Sequence, residues 1–349
     1  MGAIDADAHV IECEATFDYI DAAHRGLKPR VMVDKDRGRL RQGNAGNLQK
    51  EYWVVDGRIH TKELNLDINI SKGSRELTDV QARLDHMDTL DIDVQVIYPT
   101  LFLRAWTRDP LTDAVISNSY NRWMADVWKQ APDRLRWVVI PPLLSMDKVA
   151  GELEFAKENG AVGVFVRGLE DDRRLDNPYF FPLFDAAQAL GLPICFHAGN
   201  GSFAVRDIYA SEAGIGRSRA PVIVACESLL LAKLPERFPG LRWGFLEVSS
   251  QWVPYVLNDV MLRKRRKGEA MSETLFADNN IFVACQVTDD LDFTVPYAGE
   301  DQVVIGTDYG HSDNSTEIEA MRKLKGEGKL APGVVDKILS TNARVFYGL

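Results

Sequence analysis

Short apolar runs rich in β-branched and aromatic residues recur along the chain, and most are followed by a stretch whose apolar positions are spaced three and four apart. The runs are Ala3–Ala8, Ile92–Tyr98, Leu135–Ile140, Ala161–Val166, Pro193–Phe196, Leu241–Leu246, Ile281–Cys285 and Gln302–Ile305. Between them, Leu111–Gln130, Lys148–Glu158, Phe184–Leu190, Val222–Leu234 and Val253–Arg265 carry the helical period, and Val334–Phe346 closes the chain as helix. Continuous apolar strands alternating with helices are the pattern of a parallel sheet buried on both faces. Eight such units can close into a (β/α)8 TIM barrel or spread as an open doubly wound sheet. The barrel is favoured on two grounds. No glycine-rich GxGxxG turn follows the first run, and polar residues follow runs spread over the whole chain, which a barrel gathers at its C-terminal face. The expectation is therefore an α/β chain folded as one TIM-barrel domain over residues 1–349. Residues 27–77, polar and carrying the aromatic pair Tyr52–Trp53, interrupt the alternation after the first strand and predict a long, lid-like insertion over the barrel mouth.

Composition narrows the partners. With 349 residues and 46% hydrophobic content the chain can bury a large core. A net charge of −10 argues against nucleic acid or an anionic membrane as the main partner, because both need clustered Lys and Arg. The one basic run, Arg263 to Lys267, reads as a solvated helix end. No stretch reaches the roughly 20 apolar residues of a membrane helix, and MGAIDADAHV lacks the form of a signal peptide, so a soluble, cytoplasmic protein is expected. Cys13, Cys195, Cys226 and Cys285 are scattered without a CxxC pair, which suggests neither a disulfide framework nor a cysteine zinc site.

Chemistry-bearing residues sit at the ends of four runs. In Asp5-Ala6-Asp7-Ala8-His9, strand alternation places Asp5, Asp7 and His9 on one side, where side chains two apart can grip one ion; a helix cap would explain one Asp but not the His. His197 ends an apolar strand and precedes a small glycine-containing turn, so it points into the mouth; alone it reads equally as a core or surface histidine. Asp308, after the eighth run, can bind a metal, accept a proton from water, or do both at different stages. Glu247 stands at the inward end of the sixth run as ligand, general base, supporting carboxylate or salt-bridge partner. Arg167 is placed either to hold a substrate carboxylate or to pair with a neighbouring acid, and His311 either contacts the site or makes a structural hydrogen bond. Asn314 with Glu317, or Thr316 with Glu319, matches a capping box, which gives Asp313 a place in a helix cap. Tyr52, Trp53, Phe102, Trp106 and Trp252 offer large apolar surface for a substrate or for packing at the mouth.

The strand-one Asp-x-His, FHAGNG, FLEVSSQWVPY, AGEDQVVIGTDYGHSD and the closing NARVFYGL together resemble the amidohydrolase-related branch of the amidohydrolase superfamily, across almost the whole chain. That branch includes aminocarboxymuconate semialdehyde decarboxylase and the aromatic-acid decarboxylases. The resemblance implies a TIM barrel with one divalent metal held by the strand-one pair, a strand-five His and a strand-eight Asp, which here are Asp7, His9, His197 and Asp308. It also implies a homodimer or larger homo-oligomer. Two positions depart from the family pattern. Asp7 stands where the better-studied decarboxylases have His or Glu, and Glu247 stands where they have a catalytic His.

A mixed imidazole and carboxylate donor set suits zinc or manganese, and iron as well. The reading drawn from these residues is a metal-dependent hydrolase of a small carboxylate-bearing or aromatic substrate, with Asp308 or Glu247 as base and a metal-activated water as nucleophile. The alternatives are nonoxidative decarboxylation, with Asp308 protonating carbon, and a catalytically silent barrel that only binds. A silent barrel would be expected to have lost a ligand, whereas every matching position here keeps a ligand-competent side chain.

Overall fold

The computed structural model describes residues 2–34, 50–62, 66–209, 214–270 and 272–349. Its main sheet has eight strands: β1 (Ala3–Val10), β2 (Ile92–Pro99), β3 (Leu135–Val139), β4 (Ala161–Arg167), β5 (Ile194–His197), β6 (Trp243–Leu246), β7 (Ile281–Cys285) and β8 (Val303–Ile305). Each pairs in parallel with the next, so sheet order follows chain order. The sheet then closes on itself, because Asp308 N donates to Asp7 O at 2.9 Å and His9 N donates to Tyr309 O at 2.9 Å. This is the (β/α)8 barrel expected from the sequence. The expected strands all form, with ends that move by a residue or two; β1 runs on to Val10, and β6 begins at Trp243.

Every residue of β1 is buried, because helices cover one face and the barrel interior covers the other. The register of β1 on β2 shifts between Asp5 and Ala8, so the simple alternation expected from the sequence is broken: Asp5 pairs with Gln95 but His9 with Tyr98, three residues on, which puts Asp5 on the opposite face from His9. Outside the barrel lie the helices Pro110–Trp128, Val149–Glu158, Phe181–Ala189, Ala220–Leu231 and Val253–Arg266. The first begins cleanly because Asp109 accepts from Thr112 N at 2.8 Å and Pro110 occupies the opening turn, where no N–H is needed. The basic run does fall at a helix end, in the last turn of Val253–Arg266, where cations suit the carbonyl end of the helix dipole. All four cysteines are buried and free. Among the described residues no helix is long and apolar enough to cross a membrane.

Of the segment 27–77, residues 35–49 and 63–65 lie outside the described residues. The rest includes a three-stranded antiparallel sheet, Arg30–Asp34, Lys50–Val55 and Arg58–Thr61. It is fastened at the C-terminal end of the barrel. Arg104 Nη1 donates to Thr61 O at 3.1 Å, Thr107 Oγ1 donates to Asp56 Oδ2 at 2.7 Å, and Asp67 N donates to Gly310 O at 3.1 Å.

The closing seam depends on a missing side chain. A Cβ on Gly306 would lie 2.4 Å from Asp7 Cβ and within about 3.0 Å of the Asp7 backbone. Gly306→Ala is therefore expected to push β8 off β1 and to destabilise the fold by about 1–3 kcal/mol, the usual cost of overpacking. Urea unfolding checks this, and a midpoint equal to that of the parent would contradict it.

Candidate metal centre

The strand ends bring six of the residues singled out above to one end of the barrel: Asp7 and His9 from β1, His197 from β5, Glu247 after β6, and Asp308 and His311 after β8. His9 Nε2 lies 3.6 Å from Asp7 Oδ1, 3.5 Å from Glu247 Oε2 and 3.5 Å from Asp308 Oδ1. His197 Nε2 lies 3.1 Å from Asp7 Oδ1 and 3.2 Å from Glu247 Oε2.

The placement of protons explains why this cluster needs a cation. His9 Nδ1 sits 3.0 Å from Pro99 O and His197 Nδ1 2.9 Å from Ala198 O. Carbonyl oxygens only accept, so both Nδ1 atoms carry protons, and a ring without a second proton turns the lone pair of Nε2 toward carboxylate oxygens. Among the described residues, His9 Nε2 and Glu247 Oε2 have no hydrogen-bond partner. Lone pairs facing carboxylates in a dry space repel until something positive lies between them.

Protons supply part of that charge. Burial pulls the His197 imidazole down, but the charges of Asp7 and Glu247 outweigh it and hold the group at about 9. Burial, reinforced by Asp308, pushes the Glu247 carboxyl well above the usual carboxylate range. Burial, with the charges of His311 and His197, drives His9 well below the ordinary imidazole value. A divalent cation meets the same need and displaces such protons. Bonds of about 2.1 Å in a tetrahedral array set neighbouring donors about 3.4 Å apart. The five separations given above run from 3.1 to 3.6 Å. One donor atom each from Asp7, His9, His197 and Glu247 falls within 4.8 Å of the others, and Asp308 adjoins the set through His9. The residues fit a divalent cation.

The surrounding structure holds these donors in place. Glu247 (φ 56°), Ser249 (φ 62°) and Asp308 (φ 53°) adopt the left-handed conformation, which costs a non-glycine residue about 1–2 kcal/mol. Asp289 restrains the turn bearing Glu247 by accepting from Ser249 Oγ at 2.5 Å, Ser250 N at 2.7 Å and Ser250 Oγ at 2.8 Å. Asp308 is held at both oxygens, by His311 Nδ1 at 2.6 Å and Thr316 Oγ1 at 2.7 Å. Its charge keeps His311 at about 9 against the opposing effect of burial. Behind β1, the fully buried Arg83 donates to His9 O at 3.2 Å and to Gln95 Oε1 at 2.6 Å, and stacks 3.5 Å above the Tyr309 ring. Asp5, before the irregularity in β1, is outside the cluster and fully engaged, accepting from Thr307 N at 2.9 Å, Thr307 Oγ1 at 2.5 Å and Gln95 Nε2 at 2.9 Å.

Other residues singled out in the sequence lie elsewhere. Arg167 is committed to the protein: its guanidinium grips both oxygens of Glu170, three residues on, and donates to Phe102 O at 3.1 Å and Arg104 O at 2.6 Å. Of its two readings, the ion pair is the one formed. Trp53 is 1% exposed with its ring edge-on to Phe17 at 5.3 Å, and Trp252 packs on Phe245 at 5.9 Å and Phe276 at 6.3 Å. Phe102 and Trp106 pack on each other, and Tyr52 is half-buried in the small sheet. The capping box does not form. The helix starts only at Ala320, and Asp313 instead accepts from Ser315 N at 2.8 Å while Thr316 turns its hydroxyl to Asp308.

A cavity of about 200 Å³ is lined by Glu247, His311 and Asp313 and also by Arg104, Arg206 and Arg217. These three arginines have no counterpart in the sequence reading. They stand on irregular or short segments where no periodic pattern marks them.

The family model for amidohydrolases matches residues 4–349. An amidohydrolase from Mycobacterium avium subsp. paratuberculosis superposes with a TM-score of 0.80 at 17% identity, covering 100% of this chain and 98% of that one. A 5-carboxyvanillate decarboxylase from Novosphingobium aromaticivorans, solved with manganese and 4-hydroxy-3-methoxy-5-nitrobenzoic acid, gives 0.66 at 18% identity over 76% of this chain and 79% of that one. A 2,6-dihydroxybenzoate decarboxylase from Rhizobium gives 0.67 at 16% identity over 100% and 99%. No curated protein matches this chain.

Asp7 and Asp5 lie on either side of an irregularity in β1 and differ in their partners, which separates ligation from support. Asp7→Asn is expected to weaken cation binding about tenfold or more, whereas Asp5→Asn keeps the cation and lowers stability. Titration of the apo-protein with a divalent cation, read by calorimetry, measures both, and equal affinities for the two variants would contradict the assignment.

Proposed function

The chain belongs to the amidohydrolase family, and we propose that within it this metal-dependent enzyme is a hydrolase of a small, carboxylate-bearing organic substrate, with zinc or manganese held by Asp7, His9, His197 and Asp308 and with Glu247 as the base. The observation that carries this reading is the environment of Glu247. Its Oε2 is unpartnered, 3.2 Å from His197 Nε2 and 3.5 Å from His9 Nε2, and the same side chain lines the cavity. Both oxygens of Asp308 are already taken, so Glu247 is the carboxylate left to accept a proton.

When bound, a divalent cation supplies polarisation of a carbonyl oxygen and makes a nearby water a stronger acid. Glu247 Oε2 takes the proton of the attacking water and returns it to the leaving group. His311, kept positive by Asp308, donates from Nε2 to Thr100 Oγ1 at 3.0 Å and lines the cavity, where its charge stabilises negative charge that develops. The roles of Arg167, Trp53 and Trp252 are then to hold the mouth in shape, for their side chains are occupied as described above.

Nonoxidative decarboxylation is the second reading. It is favoured by the likeness to two decarboxylases, one of them bound to manganese and an aromatic acid. Against it, among the described residues the only ring lining the cavity is the imidazole of His311. A stacked benzoate has little to rest on there.

Two measurements separate the readings. Glu247→Gln is expected to lower kcat by about 10²–10⁴ while the cation is retained by Asp7, His9, His197 and Asp308. Turnover of a panel of esters, lactones, amides and hydroxybenzoates in ¹⁸O-water is expected to place the label in the product. Carbon dioxide release without label would replace hydrolysis by the second reading.

A further inference from the structure

Strand β1 carries one residue more than its neighbour matches. Asp5 pairs with Gln95 and Ala8 with Ile97, so Ala6 and Asp7 together stand opposite Val96 alone and form a bulge. The bulge is what gives the metal centre its strand-one donors. It lets Asp7 and His9 meet His197 in the cluster while Asp5 turns to Gln95 and Thr307. Without the extra residue, every side chain beyond it would change faces. A bulge also interrupts the ladder, so its peptide groups need partners elsewhere.

A partner for Ala6 comes from the other end of the chain. Tyr347 Oη donates to Ala6 O at 2.6 Å, and because its proton is spent there, the 2.7 Å bond between the two phenols is donated by Tyr98. Both phenols are buried, and burial pushes each well above its usual range, so both keep their protons. The Tyr98 ring lies 4.9 Å from that of His197, and the next residue, Pro99, supplies the carbonyl that accepts from His9 Nδ1. Tyr347 is itself held, because its short helix, Asn342–Tyr347, is fastened to three further strands. Asn342 Nδ2 donates to Val303 O on β8 at 2.7 Å. Phe346 packs on Phe282 of β7 at 5.0 Å and fills the space that Gly244 of β6 leaves open, where a Cβ would overlap its ring.

From this geometry we infer that Tyr347 is a positioning residue for the metal centre. Its hydroxyl holds the bulge of β1 in the arrangement that turns Asp7 and His9 to the cluster, and through Tyr98 it steadies the ring against His197. It acts through Ala6 O and Tyr98 Oη rather than on any donor atom. The inference rests on the reading of the cluster as a cation site. The closing helix thereby serves the centre as well as the core, although it lies more than 330 residues along the chain from Asp7.

Tyr347→Phe keeps the ring and removes only the hydroxyl. Leu153→Ala is its comparator, because it opens a hole under the helix Val149–Glu158, which packs on β4, and so lowers stability without touching β1. The full chain, treated with EDTA, is titrated with Mn²⁺ by calorimetry, and the Co²⁺-loaded forms are compared by visible absorption. Tyr347→Phe is expected to bind Mn²⁺ about tenfold or more weakly and to shift the Co²⁺ bands, whereas Leu153→Ala unfolds at lower urea yet keeps the parent's affinity and bands. Hydrogen exchange of the EDTA-treated proteins, read by mass spectrometry, examines the bulge without metal. Peptides covering β1 are expected to exchange faster in Tyr347→Phe while those covering β4 do not change. Parent-like affinity and bands in Tyr347→Phe, an equal loss of affinity in Leu153→Ala, or unchanged protection of β1 overturns the inference. A parent that binds no cation overturns the metal reading instead, and the exchange of β1 then decides whether Tyr347 holds the bulge.

Discussion

Three carboxylates and two imidazole lone pairs meet at the end of this barrel in a space with little water to neutralise them. Asp7, Glu247 and Asp308 face His9 and His197, whose Nδ1 protons are already given to Pro99 O and Ala198 O. Protons relieve the arrangement only partly, which is why His197 is held at about 9 and burial with the charge of Asp308 pushes Glu247 well above its usual range. A cation relieves it fully, and the rest of the molecule is organised so that the five groups cannot move apart to relieve it themselves.

That organisation is visible strand by strand. Gly306 allows β8 to press its backbone on Asp7. Asp289 restrains the left-handed turn of Glu247, while Thr316 and His311 fix Asp308 in another. Arg83 holds the backbone of His9 from behind. Asp289, His311 and Arg83 are buried polar groups with partners, so each adds order without leaving an unpaired charge while the turns of Glu247 and Asp308 stay in their left-handed conformation. Two of the buried polar atoms without a partner, His9 Nε2 and Glu247 Oε2, face each other at the centre.

Much of this was legible in the sequence. Strands buried on both faces leave continuous apolar runs, and a barrel leaves its chemistry at their C-terminal ends, so the eight strands and the cluster of Asp7, His9, His197, Glu247, Asp308 and His311 could be read from pattern and position. Arg167 shows the limit of position alone. Glu170, three residues on in the run VFVRGLE, takes up its guanidinium, and only the turn between them decides that. The aromatic residues failed as indicators of a mouth for a different reason. Large rings are marked by their apolar surface, and Trp53, Phe102, Trp106 and Trp252 satisfy it in the core. The arginines lining the cavity left no sequence signal, because Arg104, Arg206 and Arg217 stand on segments without a period and meet only through the turn after His197.

The most direct test of the cation-centred account is an anomalous difference map from crystals grown in manganese or zinc, recorded at the metal's absorption edge. The account predicts one strong peak about 2.0–2.2 Å from the Nε2 atoms of His9 and His197 and from a carboxylate oxygen of Asp7. A fully occupied ion elsewhere in the barrel, or a map without a peak among these residues while their lone pairs still face one another, would contradict it.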